Sequence, residues 1–374
     1  MSQKLINQQD ATRKKVKQIE SRFEIYRTAL AILISLSLVF VVMFFTSKDP
    51  VNAMTLLLIG PLTNLRQFGN VILTMIPIMF TGLAITIVFK TKRFNLAADG
   101  AFYLGMMVAS IVGITAPFPP LISIIVAMIA GFAVGALLGF IPAILNRFAN
   151  ASELVISLMQ NYVVGHFVLY LFINVYRNPG SSALETFPLK PGVNLGILAR
   201  FGRVNIHWGL IIGLILIIIS YLVIYRTKFG YALRTTGSNE KFAKYTGLNT
   251  PIIIMVTQVI GTGIAGLGGA VEILGRYSTF KFMKSPGFGF DGILISILAK
   301  NNPLYVPLSA FFLAYIRTGA DMVNLQTDVP AEIIFLVQAT IILLISAKSF
   351  LNKWKQRSIV KGSIESATAV EGEQ

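Results

Sequence analysis

Leu121-Ile-Ser-Ile-Ile-Val-Ala-Met-Ile-Ala-Gly-Phe-Ala-Val-Gly-Ala-Leu-Leu-Gly-Phe-Ile-Pro-Ala-Ile-Leu145 runs without a single charged side chain. It is long enough for a helix to cross a hydrocarbon core about 30 Å thick, and it lacks the alternation of a transmembrane β-strand. Gly131, Gly135 and Gly139 recur at every fourth residue, a small-residue stripe that lets two helix backbones approach closely. Pro117, Pro119 and Pro120 punctuate a turn before the run, and Asn146 and Arg147 follow it. Basic residues gather on the cytoplasmic side of membrane proteins, so the Arg147 end lies inside and the proline end outside.

Working outward, the same pattern repeats. A span at about Gly69–Phe89 contains Pro77 and Gly82 and stops at Lys90, Lys92 and Arg93, which fixes that end as cytoplasmic. Phe94-Asn-Leu-Ala-Ala-Asp-Gly100 then opens an apolar run to about Thr115. Beyond Leu145 come a span at about Leu154–Val175, a polar connection over residues 176–206, and a span at about Trp208–Tyr225. A basic loop over residues 226–250 leads into a span at about Ile252–Leu274, rich in glycine at Gly261, Gly263, Gly266, Gly268 and Gly269. The apolar part of Phe288–Lys300 is too short for a full crossing and reads as a re-entrant or broken helix; spans at about Leu304–Gly319 and Ala331–Ala347 follow. Upstream, a first span is expected at about Thr28–Thr46, then a weakly apolar stretch, Ala53–Gly60, too short to cross. The expected fold is an all-α integral membrane protein of about ten transmembrane segments. Residues 1–27 form a basic cytoplasmic N-terminal segment, 28–347 the membrane domain and 348–374 a cytoplasmic tail, so both termini are cytoplasmic. No cleavable signal peptide is expected, because the first apolar block is of full spanning length.

Composition agrees. Of the 374 residues 55% are hydrophobic and 13% charged, and the mean hydropathy is +0.72, whereas about 25% of a soluble domain is charged. The net charge of +16 sits in short segments between apolar blocks, where the membrane rule requires it, so nucleic acid is not an expected partner. The chain has no cysteine and only two histidines, His166 and His207, far apart. Disulfides, thiolate chemistry and a histidine-rich metal site are therefore not expected, nor is any cofactor. No Gly-x-x-x-x-Gly-Lys-[Ser/Thr] phosphate loop occurs, and catalytic triads and His-Glu-x-x-His are absent, so no enzymatic activity is expected and any ATP site lies on another polypeptide. Proton relays need chains of intramembrane ionisable groups, which disfavours a secondary transporter driven by an ion gradient. Glycine-rich spans and broken segments weigh against a scaffold or intramembrane enzyme.

Asp99 and Asp291 are the most costly residues to place, since a carboxylate in hydrocarbon costs about 2.5–3.5 kcal/mol on insertion scales. Each precedes Gly and a shortened apolar run, consistent either with a helix cap or with lining a solute path. The two Asp-Gly pairs also mark either an internal repeat, inverted if each half crosses an odd number of times, or the chance recurrence of a common dipeptide. Paired short segments of this kind point to a transporter's binding region. Asn95 lies four residues ahead of Asp99, and Gln160 and Asn161 lie inside their span, where amides must bond to neighbouring helices or face water. Glu272 has no obvious partner. In the 226–250 loop, Lys241-Phe-Ala-Lys-Tyr245 between Gly237 and Gly247 makes a short amphipathic helix that Ser238 or Asn239 can cap. Such a helix suits docking into a protein groove or lying on lipid.

These stretches resemble one family. Phe94-Asn-Leu-Ala-Ala-Asp-Gly100 is similar to the Phe-Asn-Ile-Gly-x-Glu-Gly-Gln signature of ABC-importer permeases for nucleosides and simple sugars. Glu153-Leu-Val-Ile-Ser-Leu-Met-Gln-Asn161 resembles their Glu-Val-Ile-x-Thr-Leu-Met-Leu-Asn stretch. Thr227-Lys-Phe-Gly-Tyr-Ala-Leu-Arg-Thr-Thr-Gly-Ser-Asn239, with Ala243, Tyr245, Thr246 and Gly247, is similar to their cytoplasmic motif, and Gly289-Phe-Asp-Gly-Ile293 and Asn301-Asn-Pro303 complete the order. The resemblance implies a permease subunit that pairs with a second, related permease. It also implies a cytoplasmic ABC ATPase and an extracytoplasmic substrate-binding protein, all at the plasma membrane with lipid around the spans. By the same resemblance Asn95, Asp99, Asn161 and Asp291 lie near the substrate path, and Gly237, Asn239, Ala243, Tyr245 and Gly247 belong to the ATPase-coupling segment. Two departures stand out: Glu-Gly-Gln becomes Asp99-Gly100-Ala101, and the Gly of Asn-Ile-Gly becomes Ala97.

Overall fold

The computed structural model describes residues 33–34 and 37–329. The expected span at 331–347, the start of the first span and both terminal segments lie outside the described residues. By internal contacts the chain divides into a unit of residues Met1–Thr55 and Val323–Gln374 and a larger unit, Leu56–Met322.

In the first unit, α1 (Ser37–Thr46) is apolar, and α2 (Pro50–Leu58) begins where Asp49 Oδ1 accepts from Asn52 N at 3.1 Å. Asp328 accepts from Ser47 Oγ at 2.8 Å and Lys48 N at 3.0 Å.

The larger unit is built on α3 (Leu65–Phe89), α4 (Ala98–Thr115), α5 (Pro120–Ala149), α6 (Glu153–Tyr170, continued as a π-turn Leu171–Val175), α7 (Gly209–Arg226) and α10 (Thr250–Arg276). These six helices are long and apolar enough to cross a membrane. Between α7 and α10 lie α8 (Lys228–Ser238) and α9 (Glu240–Tyr245); α11 (Phe288–Leu298) and α12 (Val306–Gln326) follow. α11 has 11 residues, as the reading of a broken segment requires. The all-α expectation needs one amendment: the 176–206 connection carries an antiparallel hairpin, β1 (Ile197–Phe201) and β2 (Val204–His207), turning at Gly202. Four backbone hydrogen bonds staple this connection to its neighbours: Thr186 N to Phe280 O, Leu189 N to Ser278 O, Lys190 N to Gly113 O and Leu195 N to Leu274 O.

Burial sorts the spans into an interior and a periphery. The most apolar windows of α3 and α4 are 89% and 72% buried, against 17% for α6 and 28% for both α5 and α7. Since lipid is as apolar as leucine, helices here associate through close packing rather than hydrophobic expulsion, and α10 shows how. The stripe on α5 meets α10 backbone to backbone: a Cβ on Gly131 would press on Ala270 and the Gly266 carbonyl, and one on Gly135 or Gly139 on the Thr262 or Gln258 carbonyl. On other faces of the same helix, Gly269 lies against the Phe102 carbonyl of α4, and Gly261 against Val88 and the Ala84 carbonyl of α3. Glycine on three faces lets α10 sit among α3, α4 and α5 at close backbone approach.

Candidate functional site

Lys90, Lys92 and Arg93 end α3, and the chain then turns back through Phe94–Ala97 before α4 begins. Lys92 takes a left-handed φ of 56° to make that reversal. The returning backbone is held by side chains of α6, and α10 holds the Asn95 side chain it carries. Leu96 N donates to Ser157 Oγ at 3.0 Å, and Leu96 O accepts from Asn161 Nδ2 at 2.9 Å. Asn161 Oδ1 also accepts from Gly100 N at 3.0 Å, so α6 supplies the cap that α4 lacks of its own. Gly100 is required here because a Cβ would strike the Asn161 amide oxygen. Asn95, 1% exposed, donates from Nδ2 to Gln258 Oε1 of α10 at 2.7 Å and accepts from Ala97 N at 2.8 Å.

Asp99 lies in the first turn of α4 but does not cap it. Its Oδ1 accepts from Gly289 N, in the first turn of α11, at 3.1 Å. The spanning helix α4 and the short helix α11 are thus joined at their N-termini, where free N–H groups and the positive dipole end favour a carboxylate. Thr81 Oγ1 of α3 donates to Phe288 O at 2.7 Å beside this junction. Asp291 forms an ion pair with Arg317 of α12, and Arg317 also lies over the Phe288 ring at 5.0 Å.

All four expected path residues therefore fall on one connected region. Asn95, Asp99 and Asn161 hold the entry to α4; Asp99 reaches α11, which carries Asp291. Sequence reasoning missed Arg317, although a lone cation in an apolar span facing a lone carboxylate was an available signal. Gln258 and Ser157 were missed because short polar residues in a span carry no signature of their own. Glu272 does have a partner: Arg276 Nη1 lies 3.4 Å from its Oε1. Gln160 bonds across helices, to Leu138 O at 2.9 Å, in keeping with the packing reading of that amide. Ala101, where the family motif has Gln, is fully buried.

The other expected cluster forms the α8–α9 element. Asn239 Oδ1 accepts from Phe242 N at 3.1 Å and caps α9; Gly247 ends it at a φ of +81°, a conformation suited to glycine. Ala243 is fully buried. Gly237 rests directly on the Lys90–Thr91 backbone, with no room for a Cβ. Only Tyr245 among these five presents a large free side chain: it is 90% exposed, with Phe242 beside it at 54%. α8 is anchored by Ala232 and Leu233 packing on Ile253 with Phe229 and Leu248. Four residues build the helix; one offers it.

A cavity of about 580 Å³ lies between the 176–206 connection and the ends of α3 and α10, lined by residues including Asn70, Lys190, Arg203, Asn205, Arg276 and Tyr277. It shares no residue with the Asp99 region.

A bundle of glycine-packed spans, a spanning and a short helix meeting at their N-termini, and a partly exposed helix on a polar loop together have the build of a transport subunit. The sequence pattern of the branched-chain amino acid transport system / permease component family matches residues 67–346, and the chain belongs to this family. It is 29% identical over 323 residues to the guanosine ABC transporter permease protein NupP of Bacillus subtilis, covering 85% of this chain and 92% of that one. It is 26% identical over 340 residues to the glucose ABC transporter permease protein TsgB13 of Haloferax volcanii, covering 87% and 88%. With the nucleoside ABC transporter permease protein NupB of Lactococcus lactis it shares 26% over 329 residues, covering 85% and 90%. The chain is a multi-pass permease of the plasma membrane, working with an ATPase and a substrate-binding protein.

Proposed function

We propose that this permease forms the translocation path for nucleosides, with ribose-like and other simple sugars as the second choice. Asn95, Asp99, Asn161 and Asp291 lie along that path, where α4 and α11 meet. The amides of Asn95, Asn161 and Gln258 are spent on the fold around that path, and the ion pair there, Asp291 with Arg317, is self-compensating, surroundings that suit a polar uncharged solute better than an ion. The permeases NupP and NupB, named for guanosine and nucleosides, support the same choice.

ATP is hydrolysed on separate subunits that grip α9. The observation that carries this reading is the pairing of a buried Ala243 with an exposed Tyr245 and Phe242 on one short capped helix, an apolar surface shaped for a protein groove. A second, related permease completes the path, with lipid on the outer faces of α5, α6 and α7. About ten segments cross or enter the membrane, both termini are cytoplasmic, and the two Asp-Gly openings at α4 and α11 mark an inverted repeat. Transport proceeds by alternating access, and this chain does no bond chemistry itself.

The test is ATP hydrolysis and uptake by the reconstituted complex, challenged in turn with nucleosides and pentoses. Stimulation by nucleosides is expected. Stimulation by pentoses alone moves the substrate to sugars, and uptake by this chain without any ATPase overturns the reading.

A further inference from the structure

We infer that Arg93 is the positioning residue that carries movement of α9 into the substrate path, by clasping Glu240 on α9 to Glu153 at the head of α6. The inference rests on the reading of α9 as the ATPase-docking helix. Arg93 Nη2 donates to Glu240 Oε2 at 2.8 Å, while Nη1 lies 3.9 Å from Glu153 Oε1. Glu240 is also paired with Lys244 within α9 at 3.2 Å.

The two arms of the clasp differ in strength. Arg93 and Glu240 are 31% and 37% exposed, and an ion pair of that kind contributes only about 0.2–1 kcal/mol, so it can open and re-form in every cycle. Glu153 is 6% exposed, and neither of its carboxylate oxygens has a hydrogen-bond partner among the described residues. The guanidinium is the cation that faces it, at 3.9 Å, and removing Arg93 leaves the buried carboxylate without that counter-charge. The α9 arm is the shorter and more exposed of the two, open to water on both sides; the α6 arm is longer and has its carboxylate buried.

Beyond Glu153 the contacts lead to the path. Gln258 lies beside the Glu153 carboxylate. Its Nε2 is buried without a partner, while its Oε1 accepts from Asn95. Asn95 is two residues from Arg93 and four from Asp99, on the same returning backbone. The α8–α9 element also touches that backbone just upstream, through Gly237 on Lys90–Thr91 and through Lys92 Nζ donating to Ser238 O at 3.4 Å. A displacement of α9 is thus transmitted to residues 90–93, and Arg93 joins α9, α6 and the start of the path through a single side chain.

The test uses the complete transporter in proteoliposomes, with its ATPase, permease and binding-protein partners, and reads solute moved per ATP hydrolysed. Arg93→Gln should lower that ratio by about tenfold, within the usual range of coupling between sites, with the ATPase still co-purifying; Arg93→Lys should recover part of it. Glu240→Gln should lower the ratio as well, without touching the buried carboxylate. If Arg93→Gln misfolds, the double variant Arg93→Gln/Glu153→Gln, which leaves no buried charge unbalanced, takes its place. A wild-type ratio in Glu240→Gln and in either Arg93 variant overturns the inference. A Tyr245→Ala complex that assembles and hydrolyses ATP normally instead removes the underlying docking reading, and this inference with it.

Discussion

The Asp99 carboxylate accepts the backbone N–H of Gly289 at 3.1 Å, across 190 residues of chain. The bond ties the first turn of α4 to the first turn of α11, and Gly289 sits so close to the Asp99 backbone that no Cβ fits between them. Hydrogen bonds to charged groups contribute about 1.5–3 kcal/mol. Asp99→Ala is expected to cost that much stability and to reduce uptake strongly. Gly289→Val is expected to do the same by overpacking rather than by loss of a bond. Uptake assays and detergent melting curves together check both, and wild-type melting in Asp99→Ala would show that the junction is unimportant.

Asn161 serves two backbone groups at once, Leu96 O and Gly100 N. Asn161→Ala leaves both without that partner, at about 1–3 kcal/mol for each buried group left unsatisfied. Asn161→Asp keeps the acceptor for Gly100 N and loses the donor for Leu96 O. Both variants are expected to melt below wild type, since the new carboxylate of Asn161→Asp would also oppose Leu96 O; wild-type melting in Asn161→Ala would argue against the capping geometry.

Glycine positions in the spans divide by what surrounds them. Gly135→Val would drive a side chain into the Thr262 carbonyl and should cost about 1–3 kcal/mol or more. Gly165, on α6, meets nothing within 4 Å, so Gly165→Ala should instead stabilise by roughly 0.5–1 kcal/mol. Paired melting measurements in the same detergent give the contrast directly.

Tyr245 supports no fold contact large enough to matter, being 90% exposed. Tyr245→Ala should leave the stability of the isolated chain within about 0.5 kcal/mol of wild type, yet reduce co-purification of the ATPase several-fold. Pull-down from membranes measures the second effect.

His207, in β2 and outside the spans, is 1% exposed. Burial, and secondarily the Arg276 charge, push its pKa down to about 4. The unfolded chain, with an ordinary imidazole near 6.5, binds more protons between those values, so folding stability there rises with pH. The contribution is complete above about pH 6.5 and is lost as pH falls towards 4, by on the order of 3 kcal/mol. His207→Gln should flatten that slope in melting curves taken from pH 4 to 7; an unchanged slope would assign the acid sensitivity to other groups.

Much of this architecture is legible in the sequence because hydrocarbon enforces it. The stripe Gly131, Gly135 and Gly139 announces a close helix crossing, and the shortened run after Asp291 announces a broken helix; both follow from length and side-chain size alone. α9 is readable from its cap and its bounding glycines. What pairs with what is not, because it depends on chain reversal in three dimensions. Arg317 joins Asp291 across a turn and a helix change, Gln258 reaches Asn95 from another span, and Arg93 finds Glu240 over 147 residues. The ordered course of the 176–206 connection escaped because much of its hold on residues 274–280 is through backbone groups, which any sequence carries, joined by the Glu185 and Thr186 side chains.

Where α10 meets α4 and α5, peptide touches peptide. Such a crossing has few rotamers to switch and little that is soft to compress, and on α5 it continues over three successive turns, at Gly131, Gly135 and Gly139. Helices seamed in this way keep their spacing when their surroundings shift. Rearrangement that transport demands is then expected at the thinly packed helices around this seam, not within it.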